Sequence, residues 1–185
     1  MQAATDYVTS MPRLEQERRG CIRTFTGLYV NPLQLTPLDI DVRDLAHHLS
    51  LICRYTGACP THYSVAQHSV YVAERMQKRY ASAEAALAGL LHDSAEAYFN
   101  DIASPVKHDP RMQWYRDLEH EATLMIFEKY GVDASWLKLT KPYDDQLFKD
   151  EVESWWGIHE VIRPWRPEYA ERRFLTVFDN LRSQM

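Results

Sequence analysis

The feature that most constrains the fold of this chain is the apolar run Ala85–Leu91, which ends abruptly in His92-Asp93. A helix that is apolar on nearly all sides is typical of the centre of a helical bundle rather than its surface. We therefore predict a central helix over about Ser82–Phe99. Burial of the Asp93 carboxylate at this place costs free energy unless another group compensates its charge. The run thus predicts a bundle core with a polar site beside it.

Helical periodicity and start signals recur on both sides of this run. They predict further helices from Val42 with Asp41 as N-cap, from Ser64, over about Met112–Tyr130, over about Asp144–Trp156, and from Pro167. Strand signals are almost absent after residue 40, whereas Cys21–Val30 predicts a small hairpin around Thr26-Gly27. We therefore expect a single all-α domain over residues 1–185 with a short N-terminal β-hairpin.

The composition narrows the class of protein. With 45% apolar and 25% charged residues, the chain has the balance of one soluble globular domain. Its net charge of −5, from 21 basic and 26 acidic residues, disfavours binding to nucleic acids, whose phosphates attract basic proteins. The longest apolar run is too short to span a membrane. Charged residues between Arg13 and Arg19 interrupt the place of a secretory signal, so we predict a cytoplasmic location.

Two histidines and an aspartate indicate a metal site. His68 is in line with Val65 and Val72 on the inner face of its helix, so a neighbouring helix can bring it beside His92. A single inward histidine is more simply a hydrogen-bonded core residue. Two of them with the buried Asp93 favour a divalent ion of the zinc, manganese, cobalt or iron type.

Further charged residues surround this group in the sequence. Glu96 shares a helical face with His92 and Asp93, where a carboxylate can orient a water molecule or move its proton. Asp101 and Lys107 flank the exit of the central helix. A fourth ligand is expected from Asp144 or Asp145, which are predicted to open a later helix, although an N-cap role is the alternative for either residue.

Several segments in this order carry a family resemblance: Tyr63–Ser69, Leu90–Glu96, Asp101, Pro105–Lys107, and the stretch Asp44–Ser50 followed by Cys53–Tyr55. Together they resemble the HD-domain phosphohydrolase superfamily, from about residue 20 to residue 156. Within it, the chain is most similar to the 5′-deoxynucleotidase branch and to small phage dATP triphosphohydrolases of the 2-aminoadenine pathway. The resemblance implies an HD-domain helical bundle with its metal core at about residues 42–156.

The resemblance also assigns roles to individual residues. It implies metal ligation by His68, His92, Asp93 and Asp144, an acid–base pair of Glu96 and Asp101, and phosphate contacts from Arg54, Lys107 and Lys141. Lys141 three residues before Asp144, and Glu151 seven residues after it, favour Asp144 over Asp145 in this pattern. The implied cofactor is Zn²⁺, Co²⁺ or Mn²⁺, with Mg²⁺ as a further possibility at a secondary site on the phosphates.

The predicted function is hydrolysis of a deoxynucleoside triphosphate to deoxynucleoside and triphosphate, with a preference for dATP implied by the resemblance. Three separate cations favour the triphosphate substrate. The alternatives are a 5′-deoxynucleotidase acting on dNMPs, an alarmone hydrolase and a non-catalytic nucleotide sensor. We expect a homo-oligomer with a small-molecule deoxynucleotide as its substrate. We interpret Trp155, Trp156 and Trp165 as packing or subunit-contact residues rather than as base-stacking platforms. We expect His47 and His48 to lie outside the metal site.

Overall fold

The computed structural model describes residues 20–157 and 162–185. The charged segment Arg13–Arg19, from which a cytoplasmic location was predicted, lies outside the described residues. A short antiparallel hairpin comes first, with β1 (Ile22–Arg23) paired to β2 (Tyr29–Val30). The α-helices follow in the order α1 (Val42–Leu51), α2 (Val65–Tyr80), α3 (Ala83–Leu91), α4 (Glu96–Phe99), α5 (Ser104–Lys107), α6 (Gln113–Lys129), α7 (Ser135–Trp156) and α8 (Pro167–Arg182). The predicted mostly helical fold with a short N-terminal hairpin is confirmed.

Helix α3 lies at the centre of the bundle, where it contacts α2, α6, α7 and α8. Every residue of Ala85–Leu91 is buried. The contact with α2 is especially close at Gly89, because a Cβ atom there would lie 3.0 Å from the Cα of Ala73. This close packing fixes the distance between the second and third helices, which matters for the residues that they carry.

The predicted starts of α1 and α2 are confirmed by their caps. Asp41 accepts a hydrogen bond from the backbone N–H of Arg43, and Ser64 accepts one from the N–H of Gln67. Both side chains satisfy backbone donors that have no partner within their helices. The cap at Ser64 begins the helix four residues before His68.

Two predicted helix boundaries are wrong. The central helix ends at Leu91, residues 92–95 form a turn, and a separate short helix begins at Glu96. Helix α7 begins at Ser135 and continues through Pro142, so Asp144 and Asp145 lie within it rather than at its start. An N-cap role is thereby excluded for both aspartates. Burial of Leu147 explains why the helix continues, since packing outweighs the missing N–H of the proline.

The N-terminal hairpin is fastened to α1 by a buried carboxylate. Asp44, which is fully buried, accepts hydrogen bonds from both the backbone N–H and the hydroxyl of Thr26. His48 accepts a further bond from the N–H of Phe25 through Nε2, and its Nδ1 bonds the carbonyl of Ala97. The hairpin therefore packs on the bundle through specific polar contacts. Among the helices that the structure describes, none combines the length and the apolar character needed to cross a bilayer.

Candidate metal centre

The side chains of His68 and His92 meet at the end of α3. Their ring centroids are 5.3 Å apart, and His68 is fully buried. Nδ1 of His68 lies 2.6 Å from Oε1 of Glu151, while Nδ1 of His92 lies 2.8 Å from the carbonyl oxygen of Gly89. Each Nδ1 therefore donates its proton, so Nε2 is the nitrogen that each ring turns towards the space between them, where a cation can bind.

Neither Nε2 atom has a hydrogen-bond partner, although both are buried. Two carboxylates face them instead. Oδ2 of Asp93 lies 3.3 Å from Nε2 of His92 and 3.6 Å from Nε2 of His68. Oδ1 of Asp144 lies 3.2 Å from Nε2 of His68 and 3.9 Å from Nε2 of His92.

The group of His68, His92 and Asp93 can hold a metal ion, because its ligand atoms all lie within 4.8 Å of one another. Two imidazoles with carboxylates form a donor set that several divalent transition metals accept. Asp144 faces the same point and its side chain is 20% exposed, whereas the side chain of Asp145 is 55% exposed. Of the two candidates for the fourth ligand, the structure therefore places Asp144 at the site.

The electrostatics of the group favour a positive charge between the two histidines. Burial alone would raise the pKa of Asp93, but His92, His68 and Arg54 hold it well below its usual range. Burial likewise opposes charge on His92, yet Asp93 and Asp144 raise the pKa of His92 to about 9. Burial would also raise the pKa of Asp144, but His68 and His92 hold it below its usual range, so both aspartates are ionised at neutral pH.

A buried glutamate to which the sequence analysis gave no role beyond its spacing from Asp144 lies behind His68. Glu151 is fully buried in α7 and accepts hydrogen bonds from His68, from the hydroxyls of Tyr55 and Tyr63, and from Nη2 of Arg54. Although burial would raise the pKa of Glu151, His68 and Arg54 lower it to about 2. The available signal was a glutamate among the inward positions of a predicted helix.

Arg54 joins this carboxylate to the metal group. Its Nη1 lies 3.5 Å from Oδ2 of Asp93, and its Nη2 lies 3.2 Å from Oε2 of Glu151. The turn Tyr55–Gly57 follows, in which Tyr55 and Thr56 have φ angles of +57° and +53°. Two adjacent non-glycine residues in the left-handed region carry strain that is typical of functional sites.

A second set of acids lies on the other side of Asp93. Burial, together with the charges of Asp93 and Asp101, raises the pKa of Glu96 well above its usual range, and its Oε2 has no hydrogen-bond partner. Burial also raises the pKa of Asp101. Nζ of Lys107 lies 3.4 Å from Oε1 of Glu96 and 2.8 Å from Oε1 of Glu119, a contact that the sequence did not predict. Glu96 and Lys107 line a small cavity of about 140 Å³.

A larger cleft of about 600 Å³ adjoins the metal group, with Asp93 and Asp144 in its wall. All three predicted phosphate-binding cations line it, namely Arg54, Lys107 and Lys141, and so does Asp101. Its volume is in the range of small-molecule sites. The structure thus brings all of the predicted site residues to the metal group, to the cleft or to the small cavity between Asp93 and Lys107.

Some of the other histidines and tryptophans lie outside this site, whereas His108 lines the cleft and His120 lines the small cavity. His47 contacts Glu171 and His48 holds the hairpin, so both lie outside the metal group, as expected. Trp155 and Trp165 pack against the core, as interpreted from the sequence. Trp156 instead is 53% exposed and lines the cleft.

Comparison with known proteins gives relatives but no activity. No protein-family model matches the chain. The chain is 35% identical over 175 residues to the uncharacterized protein YfdR of Escherichia coli, a match that covers 86% of this chain and 94% of YfdR. It is also 31% identical over 121 residues to the uncharacterized protein RCAP_rcc00048 of Rhodobacter capsulatus, covering 63% of this chain and 61% of that protein.

Proposed function

We propose that the chain is a metal-dependent phosphohydrolase of the HD-domain type that acts on deoxynucleoside triphosphates. It belongs to the same family as YfdR. One observation carries the proposal: two buried Nε2 atoms without hydrogen-bond partners face two aspartates at the wall of a cleft lined by cations. The reaction breaks the bond between O5′ and the α-phosphorus, and the oxygen of water takes the place of O5′. The products are a deoxynucleoside and triphosphate.

The metal would be held by His68, His92, Asp93 and Asp144, with zinc, cobalt or manganese as the candidates. When bound, such an ion lowers the pKa of a water molecule towards about 7 and polarises a phosphoryl oxygen. Magnesium on the leaving phosphates is a further possibility, and we expect the active form to be a homo-oligomer.

The chain's own residues supply binding and proton transfer. The guanidinium of Arg54 offers paired donors to phosphate oxygens, while Lys107 and Lys141 act as point charges. Asp101 lines the cleft and has a raised pKa, so it can hold a proton for the departing O5′. Glu96 lines the smaller cavity beside Asp93, from which it orients water at the reacting phosphorus.

A 5′-deoxynucleotidase acting on dNMPs is the second candidate, because the cations of the cleft already have acidic partners. Nζ of Lys141 lies 3.0 Å from Asp144 and 2.5 Å from Asp145. Nζ of Lys107 lies between Glu96 and Glu119. These pairs reduce the positive charge that remains for a triphosphate, which a monophosphate needs less.

The decisive experiment measures turnover of dNTPs, rNTPs and dNMPs after reconstitution with Zn²⁺, Co²⁺ or Mn²⁺, with products resolved by anion exchange. We expect deoxyadenosine and intact triphosphate from dATP. Activity confined to dNMPs would instead support the second candidate.

Metal binding itself is tested by His92→Ala, which we expect to lose the metal by elemental analysis. The matched control is His47→Ala, because His47 pairs with Glu171 outside the metal group. Nucleotide binding without turnover under any of the three metals would support a sensor and contradict both hydrolytic functions.

A further inference from the structure

One wall of the cleft is aromatic and does not belong to the metal group or to the phosphate contacts. Phe148 and Trp156 both lie on α7, and their side chains are 48% and 53% exposed. Their rings contact Tyr55, at centroid distances of 6.1 Å for Phe148 and 5.3 Å for Trp156. All three residues line the same 600 Å³ cleft as Arg54 and Asp144.

Exposure of large aromatic rings to water is unfavourable in free energy, and a ligand that covers the rings would remove this penalty. Trp155, the neighbour of Trp156 on α7, is packed against the core, so the exposure of Trp156 is specific to the cleft side. An aromatic ring offers a flat apolar face that stacks on another π-system, and such stacking does not depend on a particular hydrogen-bond pattern. The wall therefore fits a flat, aromatic part of a ligand.

The position of the wall matches the length of a nucleotide. Phe148 follows Asp144 by one turn of α7, which corresponds to a rise of roughly 6 Å along the helix axis. Trp156 lies at roughly 18 Å from Asp144 along the same axis. A phosphate held near Asp144 and Arg54 leaves its sugar and base to extend over this interval. The charged residues Lys141, Asp144 and Asp145 precede Phe148 on α7, so the aromatic wall begins one turn beyond Asp144.

We propose that Phe148 and Trp156 form an aromatic platform for the base of the nucleotide, in which the base stacks on one ring and contacts the other at its edge, because the two rings lie at different angles to Tyr55. Purines should bind more tightly than pyrimidines, because their larger rings cover more of the platform. This inference rests on the proposed function, since it concerns the substrate of that same cleft. It assigns these two residues to base binding and leaves the phosphate end to Arg54 and the metal group.

The test compares dAMP with 2-deoxyribose 5-phosphate, which has the same sugar and phosphate but no base. Binding is measured by calorimetry with a chelator present, so that no turnover occurs. We expect dAMP to bind the unmodified protein about ten-fold more tightly than the base-free ligand. Phe148→Ala and Trp156→Ala should remove most of that difference without changing the affinity for the base-free ligand.

Two further variants serve as controls. Trp114→Ala removes a tryptophan of similar exposure, 55%, that does not line the cleft, and it should leave the difference intact. Phe148→Tyr keeps the aromatic ring and should keep the affinity for dAMP. Loss of dAMP affinity in Phe148→Ala together with its retention in Phe148→Tyr would separate stacking from a general effect on the fold.

The outcomes distinguish this inference from the function on which it rests. Equal affinity of the unmodified protein for the two ligands would overturn the platform. So would dATP turnover with an unchanged KM in Phe148→Ala and Trp156→Ala, although the proposed hydrolase would then stand. Base-dependent binding that these variants abolish, without turnover under any metal, would support the platform and contradict the hydrolase. No binding of either ligand, with no dATP turnover, would contradict both.

Discussion

The tautomers of His68 and His92 show how single residues prepare the candidate site. A histidine binds a metal through the nitrogen that carries no proton, so the partner of the other nitrogen decides which atom faces the site. Glu151 fixes that choice for His68, and the carbonyl of Gly89 fixes it for His92. Such partners usually accompany metal-binding histidines, which makes them independent support for the metal centre.

At this scale we predict that Glu151→Gln weakens metal binding about 10–100-fold. The amide carries no charge and presents an NH₂ group towards donors such as Arg54 and Tyr55, so His68 loses its fixed orientation. The measurement is a competition titration against a chelator of known affinity.

Asp150→Asn is the control, because Asp150 is the neighbouring acid on α7 and pairs with Arg75 rather than with a metal ligand. Equal affinity in Glu151→Gln and the unmodified protein would contradict an orienting role for Glu151.

The elements were predictable where their signals are local. The caps Asp41 and Ser64 act on backbone groups two or three residues away, so the sequence alone was enough to predict where α1 and α2 begin. The break after Leu91 was not predictable from periodicity, because Ala95, Tyr98 and Phe99 return at helical spacing beyond the end of the apolar run. Its physical cause includes the ring of His92, which bonds the carbonyl of Gly89 that a continuing helix would use.

The start of α7 was missed because Pro142 normally ends or interrupts a helix. Here the helix spans 22 residues with the proline inside it, held by packing of Thr140 and Leu147, which are buried. Proline within a helix costs about 3 kcal/mol relative to alanine, since it cannot donate to the carbonyl four residues earlier.

We therefore predict that Pro142→Ala raises the free energy of unfolding by about 1–3 kcal/mol, as measured by urea denaturation. Pro167→Ala is the matched control, because Pro167 occupies the first turn of α8, where proline is favourable and its substitution should bring no gain. A lower stability of Pro142→Ala than of the unmodified protein would contradict this expectation.

At the scale of the whole molecule, the candidate site exists because distant parts of the chain meet. The bond from His68 to Glu151 joins residues separated by 83 positions. The sequence predicted that His68, His92 and Asp93 face inward, because an inward direction follows from local periodicity. It did not predict that Glu151 binds His68 or that Glu119 binds Lys107, since these contacts depend on how whole helices pack.

The packing of α2 against α3 can be tested with Gly89→Ala. Alanine is the better helix former by about 1 kcal/mol, so a local argument predicts a more stable protein. In the bundle, however, the new Cβ would lie 3.0 Å from both the Cα of Ala73 and the Cγ of Met76. Backbone cannot give way as a flexible side chain can, so α2 must move away from α3, at a cost of about 1–3 kcal/mol.

Because α2 carries His68 and α3 leads directly into His92, the same movement changes the spacing of the two Nε2 atoms. We expect Gly89→Ala to lower both the free energy of unfolding, measured with urea, and the metal affinity, measured by chelator competition. Stability and affinity equal to or above those of the unmodified protein would show that the helices can separate without disturbing the site. A joint decrease would show that the close contact at Gly89 sets the geometry of the metal centre.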